Sequence, residues 1–200
     1  MPLFPFFMNI EGATGLIVGT GKHAQEKIQR LEPFGPKLRV ISEGEFSESD
    51  LEEMPAFVIV AGEDKEKNHR IANLCREKRI PVNVVDDQEY CDFVFPSYIA
   101  QGNLSIGICT NGASPAAGVL LKRKILEQVP DNMEEILNFL HEKRPVIAKT
   151  LTDKKQRYKF YYELSEICMR KNRPLTEDEF RRQLQWHVQS AKKNLQESKD

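Results

Sequence analysis

The run Leu16-Ile17-Val18-Gly19-Thr20-Gly21-Lys22-His23-Ala24 decides the fold. An apolar run, Gly15 to Val18, ends at a glycine. Beyond it Ala24, Ile28 and Leu31 recur at helical spacing until Pro33. That pattern predicts a buried strand, a tight turn and a helix. Gly19 permits the turn. Gly21 has no side chain to obstruct a pyrophosphate. Ala24 stands where a third glycine is common and still allows close helix–strand packing. The free N–H groups at the helix start then face an anion. A plain glycine turn that binds nothing is the other reading of the same residues.

The pattern repeats outward from this turn. Leu38–Ile41, Ala56–Ala61 and Pro81–Val85 read as further strands. Ser49–Met54 reads as a helical turn, and Asn68–Lys78 as a helix with Ile71, Leu74 and Cys75 on one face. Phe93–Phe95 reads as a short fifth strand and Leu104–Cys109 as a sixth. Alternating strands and helices predict a parallel sheet with right-handed crossovers, an α/β fold. Ligands bind such sheets beyond the carboxyl ends of the strands.

After residue 113 the texture changes. Ser114-Pro115 is a helix start, Asp131–Glu134 a capping box, and helices are expected over Thr152–Met169 and from Thr176 onward. No strand pattern recurs, and Lys192–Asp200 is expected to fray. Charge shifts near the same point. Residues 1–120 carry 11 basic and 17 acidic side chains, residues 121–200 carry 18 and 13. We expect one domain over 1–113 and a helical one over 114–200. The large apolar residues of these small helices would be buried on a partner subunit or on the first domain.

Three sets of residues can carry chemistry. The first is the turn Gly19, Gly21, Lys22 and His23, with Glu43 just past the second strand. Glu43 can accept hydrogen bonds from an adenosine ribose and repel a 2′-phosphate, or it is one of several solvated acids in its loop. The second is Asp86-Asp87, two carboxylates ending an apolar strand. Neighbouring residues on extended chain face opposite sides, so one of them, Asp86, is expected to face the crevice as a base or acid. Ordinary turn chemistry is the alternative. The third is Thr110–Pro115, a strand-to-helix turn suited to an anion or to simple capping. His69, His141 and His187 are read as surface or packing residues.

These segments, together with Cys91–Ser97 and Gly112-Ala113-Ser114-Pro115, come in the order and rough spacing of the siroheme synthase family. The sequence resembles that family over nearly its whole length. The resemblance implies a Rossmann-like domain binding NAD, at Gly19, Gly21, Lys22, His23, Glu43 and Gly44, followed by a helical dimerisation and tail region. It implies NAD-dependent oxidation of precorrin-2 to sirohydrochlorin by a homodimer, with Asp86 as the catalytic aspartate. In bifunctional members Fe²⁺ is then inserted as a substrate. Gly112, Ala113 and Ser114 would hold the peripheral carboxylates of the tetrapyrrole. Two departures stand out. The stretch between the second and third strands is short, Ser42 to Pro55. The family's usual Ala-Thr-Asp-Asp reads Ala61-Gly62-Glu63-Asp64. Dehydrogenase activity alone, or a Rossmann module that binds without turnover, are the alternatives.

Composition bounds the rest. The chain has 200 residues, 29 basic and 30 acidic, for a formal net charge of −1, which gives no electrostatic case for nucleic acid. Eleven Gly and eleven Pro exclude collagen-like and low-complexity classes. The apolar lead Met1–Met8 is short, interrupted by prolines and without a basic segment, unlike a signal peptide. No stretch reaches membrane-span length. Cys75, Cys91, Cys109 and Cys168 show neither CxxC nor zinc spacing, so no metal site is expected and four buried, reduced thiols are. A cytoplasmic protein is the expectation.

Overall fold

The computed structural model describes residues 3–197. They form two compact units that divide between Phe95 and Pro96.

The first unit is a four-stranded parallel sheet flanked by helices. Its elements are β1 (Thr14–Val18), α1 (Lys22–Leu31), β2 (Lys37–Ile41), β3 (Phe57–Val60), α2 (Lys65–Glu77) and β4 (Val82–Val84), in spatial order β2-β1-β3-β4. Val18 lies in register with Ile41 on one side and Val60 on the other. The order reverses at β1, and beyond its carboxyl end lies the crevice where such sheets take ligands. Period-two alternation supplies both faces with apolar residues. Leu16, Val18, Val58, Val60, Val82 and Val84 pack with Ile71, Ala72 and Cys75 of α2. Ile17, Phe57 and Ile59 pack with Ala24, Ile28 and Leu31 of α1 on the opposite face.

Local chemistry sets the ends. Pro33 stops α1, which tightens into a 3-10 turn over Glu32–Phe34 and leaves through Gly35 in the left-handed region, φ 70°. Asp64 caps α2, accepting from the N–H groups of Glu66 and Lys67. The short β2–β3 connection forms a 3-10 turn over Glu48–Leu51 with a Ser47/Asp50 capping box, and drives Leu51 fully into the core.

The second unit begins with an antiparallel hairpin, β5 (Ser97–Gln101) and β6 (Leu104–Ile108), followed by α3 (Pro115–Leu126), α4 (Met133–Thr150), α5 (Lys154–Lys171) and α6 (Glu177–Glu197). Three expectations are corrected here. Phe93–Phe95 is not a strand: Asp92 donates one bond to the Val82 carbonyl, and Pro96, lacking an N–H, ends the run. Leu104–Ile108 does not join the parallel sheet. It pairs with Ser97–Gln101 across Gly102-Asn103, a two-residue turn signal, so the second unit starts at Pro96 rather than after residue 113. Helices α4, α5 and α6 bury one set of large residues against each other, Ile136, Phe139, Ile147, Phe160, Leu164, Phe180 and Leu184, while Tyr158, Tyr162 and Trp186 stay exposed.

Capping also departs in detail. Asn132 precedes α4 without a side-chain cap and donates instead to the Asn172 carbonyl, 2.9 Å away. The reciprocal box forms at Thr176 and Glu179, with Thr176 N–H to Glu179 Oε2 at 2.9 Å and Glu179 N–H to Thr176 Oγ1 at 3.3 Å. Helix α6 is assigned to Glu197, and residues 198–200 lie outside the described residues. Cys109 is exposed, against the expectation of four buried thiols. Burial pushes the Cys75 thiol up to about 12.

Candidate functional site

The turn after β1 is built for close approach. Gly19 has φ 123°, and a Cβ there would lie 2.5 Å from the Ala61 carbonyl oxygen of the adjoining strand end. Only glycine fits. Gly21 is the N-cap of α1, no side chain caps the helix, and nothing lies within 4 Å of where its Cβ would project. Lys22 and His23 follow at the surface. The result is an open cradle at a helix N-terminus, beside the switch in strand order. It fits the pyrophosphate of a dinucleotide.

Glu43 does not extend into this space as a free surface acid. Half-buried, it turns toward the end of β3, where its Oε2 accepts the Glu63 N–H at 3.0 Å. Its Oε1 is buried without a partner. Asn68 on α2 comes to the same place: its Nδ2 donates to the Gly62 carbonyl at 2.9 Å and its Oδ1 is buried and unpartnered. A Cβ on Gly62 would lie 2.6 Å from both Glu43 Oε2 and Asn68 Oδ1. Glycine at 62 therefore makes room for these two side chains. Gly44 is exposed, with open space before it.

Beyond β4 the chain turns sharply. Val85 N–H still bonds to the Val60 carbonyl at 2.9 Å, and the Asp87 N–H closes back on Val84 O at 3.3 Å. Between them Asp86 takes φ 61°, a left-handed conformation that aspartate tolerates better than most residues. Asp86 is exposed. Its charge is felt by Lys27 on α1: burial and then the Arg30 charge pull Lys27 below the ordinary lysine value, while Asp86 acts the other way. Asp87 goes to the α2 side, its Oδ2 2.7 Å from His69 Nε2. Asp87 is thus engaged by α2 while Asp86 stays exposed at the turn.

The third turn belongs to the second unit. Asn111 and Gly112 are both left-handed, with φ 51° and 76°. Ser114 caps α3, its Oγ accepting the Ala117 N–H at 3.2 Å, and Thr110 Oγ1 donates to the Ser114 carbonyl at 3.1 Å. Gly112 and Ala113 are exposed and Ser114 is half-buried.

Two residues of this neighbourhood escape sequence reasoning. His69 is half-buried and hydrogen-bonded to Asp87, and Asn68 is a buried polar group, 5% exposed, on the inner face of α2. Asn68 interrupts an otherwise apolar face, which is a readable signal. His69 carries none, because its partner lies 18 residues away in a turn whose path the pattern does not fix. Among the described residues, no three His, Cys, Asp or Glu side chains converge as a metal site, and no helix is long and apolar enough to cross a membrane.

The chain is similar to known proteins. A family model described as “Putative NAD(P)-binding” matches residues 6–97. Siroheme synthase of Neisseria meningitidis serogroup C (strain 053442) is 29% identical over 179 residues, covering 80% of this chain and 37% of that protein. Siroheme synthase of Thioalkalivibrio sulfidiphilus is 28% identical over 184 residues, covering 83% and 38%. The chain thus spans about two fifths of the length of the curated relatives it matches. Among solved structures, “SirC, precorrin-2 dehydrogenase” superposes with a TM-score of 0.64 at 20% identity, covering 94% of this chain and 100% of that one. It shares the fold.

Proposed function

Since the chain is a homologue of the siroheme synthases, we propose that it oxidises precorrin-2 to sirohydrochlorin with NAD⁺ as acceptor, as a cytoplasmic homodimer. The observation that carries this reading is the uncapped α1 cradle at Gly19–Gly21, with a carboxylate of left-handed backbone, Asp86, past β4 of the same sheet. NAD⁺ supplies a hydride acceptor when bound. Gly19, Gly21, Lys22 and His23 would hold its pyrophosphate, and Glu43 with Gly44 its adenosine side. Oxidation removes a hydride and a proton from the macrocycle, and Asp86 accepts the proton.

Gly112, Ala113 and Ser114 are proposed to bind substrate carboxylates, through the exposed backbone at the start of α3. The homodimer has support in α3, which leaves Val119, Leu120, Leu121 and Leu126 exposed at 62%, 44%, 46% and 42%. Fe²⁺ enters the proposal as a second substrate. The tetrapyrrole nitrogens are its ligands, and the chain need only accept the displaced pyrrole protons, again at Asp86.

Incubation with precorrin-2 and NAD⁺ tests the reading: NADH absorbance should rise as precorrin-2 is consumed. Binding of tetrapyrrole without NADH would leave a non-catalytic module. Asp86→Asn is expected to lower kcat by about 100-fold or more, the loss of a general base, with the melting temperature unchanged. An active Asp86→Asn enzyme moves the base elsewhere. Adding Fe²⁺ to sirohydrochlorin checks insertion separately. Leu120→Asp should convert a dimer into a monomer in sedimentation analysis.

A further inference from the structure

His69 touches the segment that carries Asp86 at two points. Its Nε2 lies 2.7 Å from Asp87 Oδ2. Because an ionised carboxylate only accepts, the imidazole N–H is the donor. Its ring also lies flat on Tyr90, with centroids 3.7 Å apart and planes 4° from parallel. Both contacts fall within the stretch Val85–Cys91 that leads away from β4.

The same stretch is tied down again from α2. Arg76, on the helix with His69, donates through Nε to Asp92 Oδ1 and through Nη2 to the Glu89 carbonyl, each at 3.1 Å. The Tyr90 N–H bonds to the Asp87 carbonyl at 3.2 Å. The half-buried Cys91 sulfur takes the Val84 N–H at 3.3 Å and lies 3.2 Å from the Asp87 carbonyl. Every one of these contacts holds a neighbour of Asp86, and none touches Asp86 itself.

That pattern has a physical purpose. A left-handed residue other than glycine is uncommon and persists where its surroundings over-determine it. Asp86 sits in that conformation at φ 61°. Without a restraint on residue 87, the turn can relax by rotating its peptide planes, and the carboxylate moves with them. The backbone of residue 87 is held by its own N–H on Val84 and by the Tyr90 N–H on its carbonyl, and the His69–Asp87 bond adds a side-chain restraint from α2. It is only partly exposed, with side chains 31% and 26% accessible.

We propose that His69 is a positioning residue: acting through Asp87, it holds the β4 turn so that the Asp86 carboxylate keeps its catalytic orientation. This inference rests on reading Asp86 as the group that accepts the proton. It gives the second aspartate a role distinct from the first, as the anchor for its neighbour.

The test uses the full chain with precorrin-2 and NAD⁺. His69→Ala should lower kcat on the order of 10- to 100-fold, the scale of a displacement of about 1 Å in a reacting group. The KM for NAD⁺ should not move, since the Gly19–Gly21 cradle is untouched. His69→Gln, whose amide nitrogen can occupy the Nε2 position, should recover most of the lost rate. His69→Ala combined with Asp87→Ala should be no slower than His69→Ala alone, because both remove one bond. An unchanged kcat in His69→Ala overturns the proposal. So does an equal loss of kcat in the Gln and Ala variants, or losses in the double variant that multiply. Absence of NADH with the wild-type chain is a different failure: it removes the reading of Asp86, and the positioning role with it.

Discussion

Two strand-to-helix turns in this chain look alike in sequence and differ in what they leave open. Each follows an apolar strand, contains glycine and starts a helix. At Gly19–Lys22, α1 begins on a glycine and no side chain satisfies its first N–H groups. At Thr110–Pro115, Ser114 fills that role for α3 by accepting from Ala117. A helix N-terminus leaves four donors without intrahelical partners, and a cap removes one of them. The first turn therefore offers its donors to a ligand, whereas the second spends part of its capacity on its own fold. A diphosphate suits the first, and the second has fewer free donors to offer.

Substitution can break this contrast, and the largest effect is expected at Gly21. Gly21→Asp places a carboxylate in open space, so the fold should persist while NAD affinity falls about 100-fold or more through like-charge repulsion. Titration calorimetry with NAD⁺ checks it, and undiminished affinity would remove the cradle from the site. Next comes Gly19→Ala, which forces a Cβ to 2.5 Å from the Ala61 oxygen. It should destabilise the first unit by about 1–3 kcal/mol in urea unfolding. Ser114→Ala should cost only about 1 kcal/mol, the ordinary value of a lost cap, and leave NAD affinity as it was.

The smallest effect concerns the capped end of α6. Arg173 and Lys171 hold the Glu179 carboxyl well below the ordinary value of 4.5, aided by the Thr176 N–H. The unfolded chain therefore takes up a proton before the folded one. This contribution is complete above about pH 4.5 and disappears as pH falls toward the folded value. Glu179→Gln should flatten the acid limb of the melting-temperature profile of the helical unit.

Much of the first unit was legible because its signals are local. Each buried strand is a short apolar run closed by a glycine or a charge, and each helix shows its spacing. The hairpin was misassigned for a related reason. Leu104–Ile108 is as apolar as a parallel strand, and only the Gly102-Asn103 turn distinguishes its partner. Glu43 illustrates a different limit. Its position after β2 was evident, but its inward turn depends on the missing side chain at residue 62 and on Asn68, groups distant in sequence. The link from His69 to Asp87 likewise depends on tertiary placement, which no periodicity encodes.

The accommodation between Glu43 and Gly62 has an evolutionary consequence. A methyl group gained at 62 would have to evict the glutamate from beside β3, and a glutamate shortened to alanine would leave the Glu63 amide without its acceptor. Neither site can drift by itself. Homologues with a side chain at 62 should be found to carry a different residue at 43 as well.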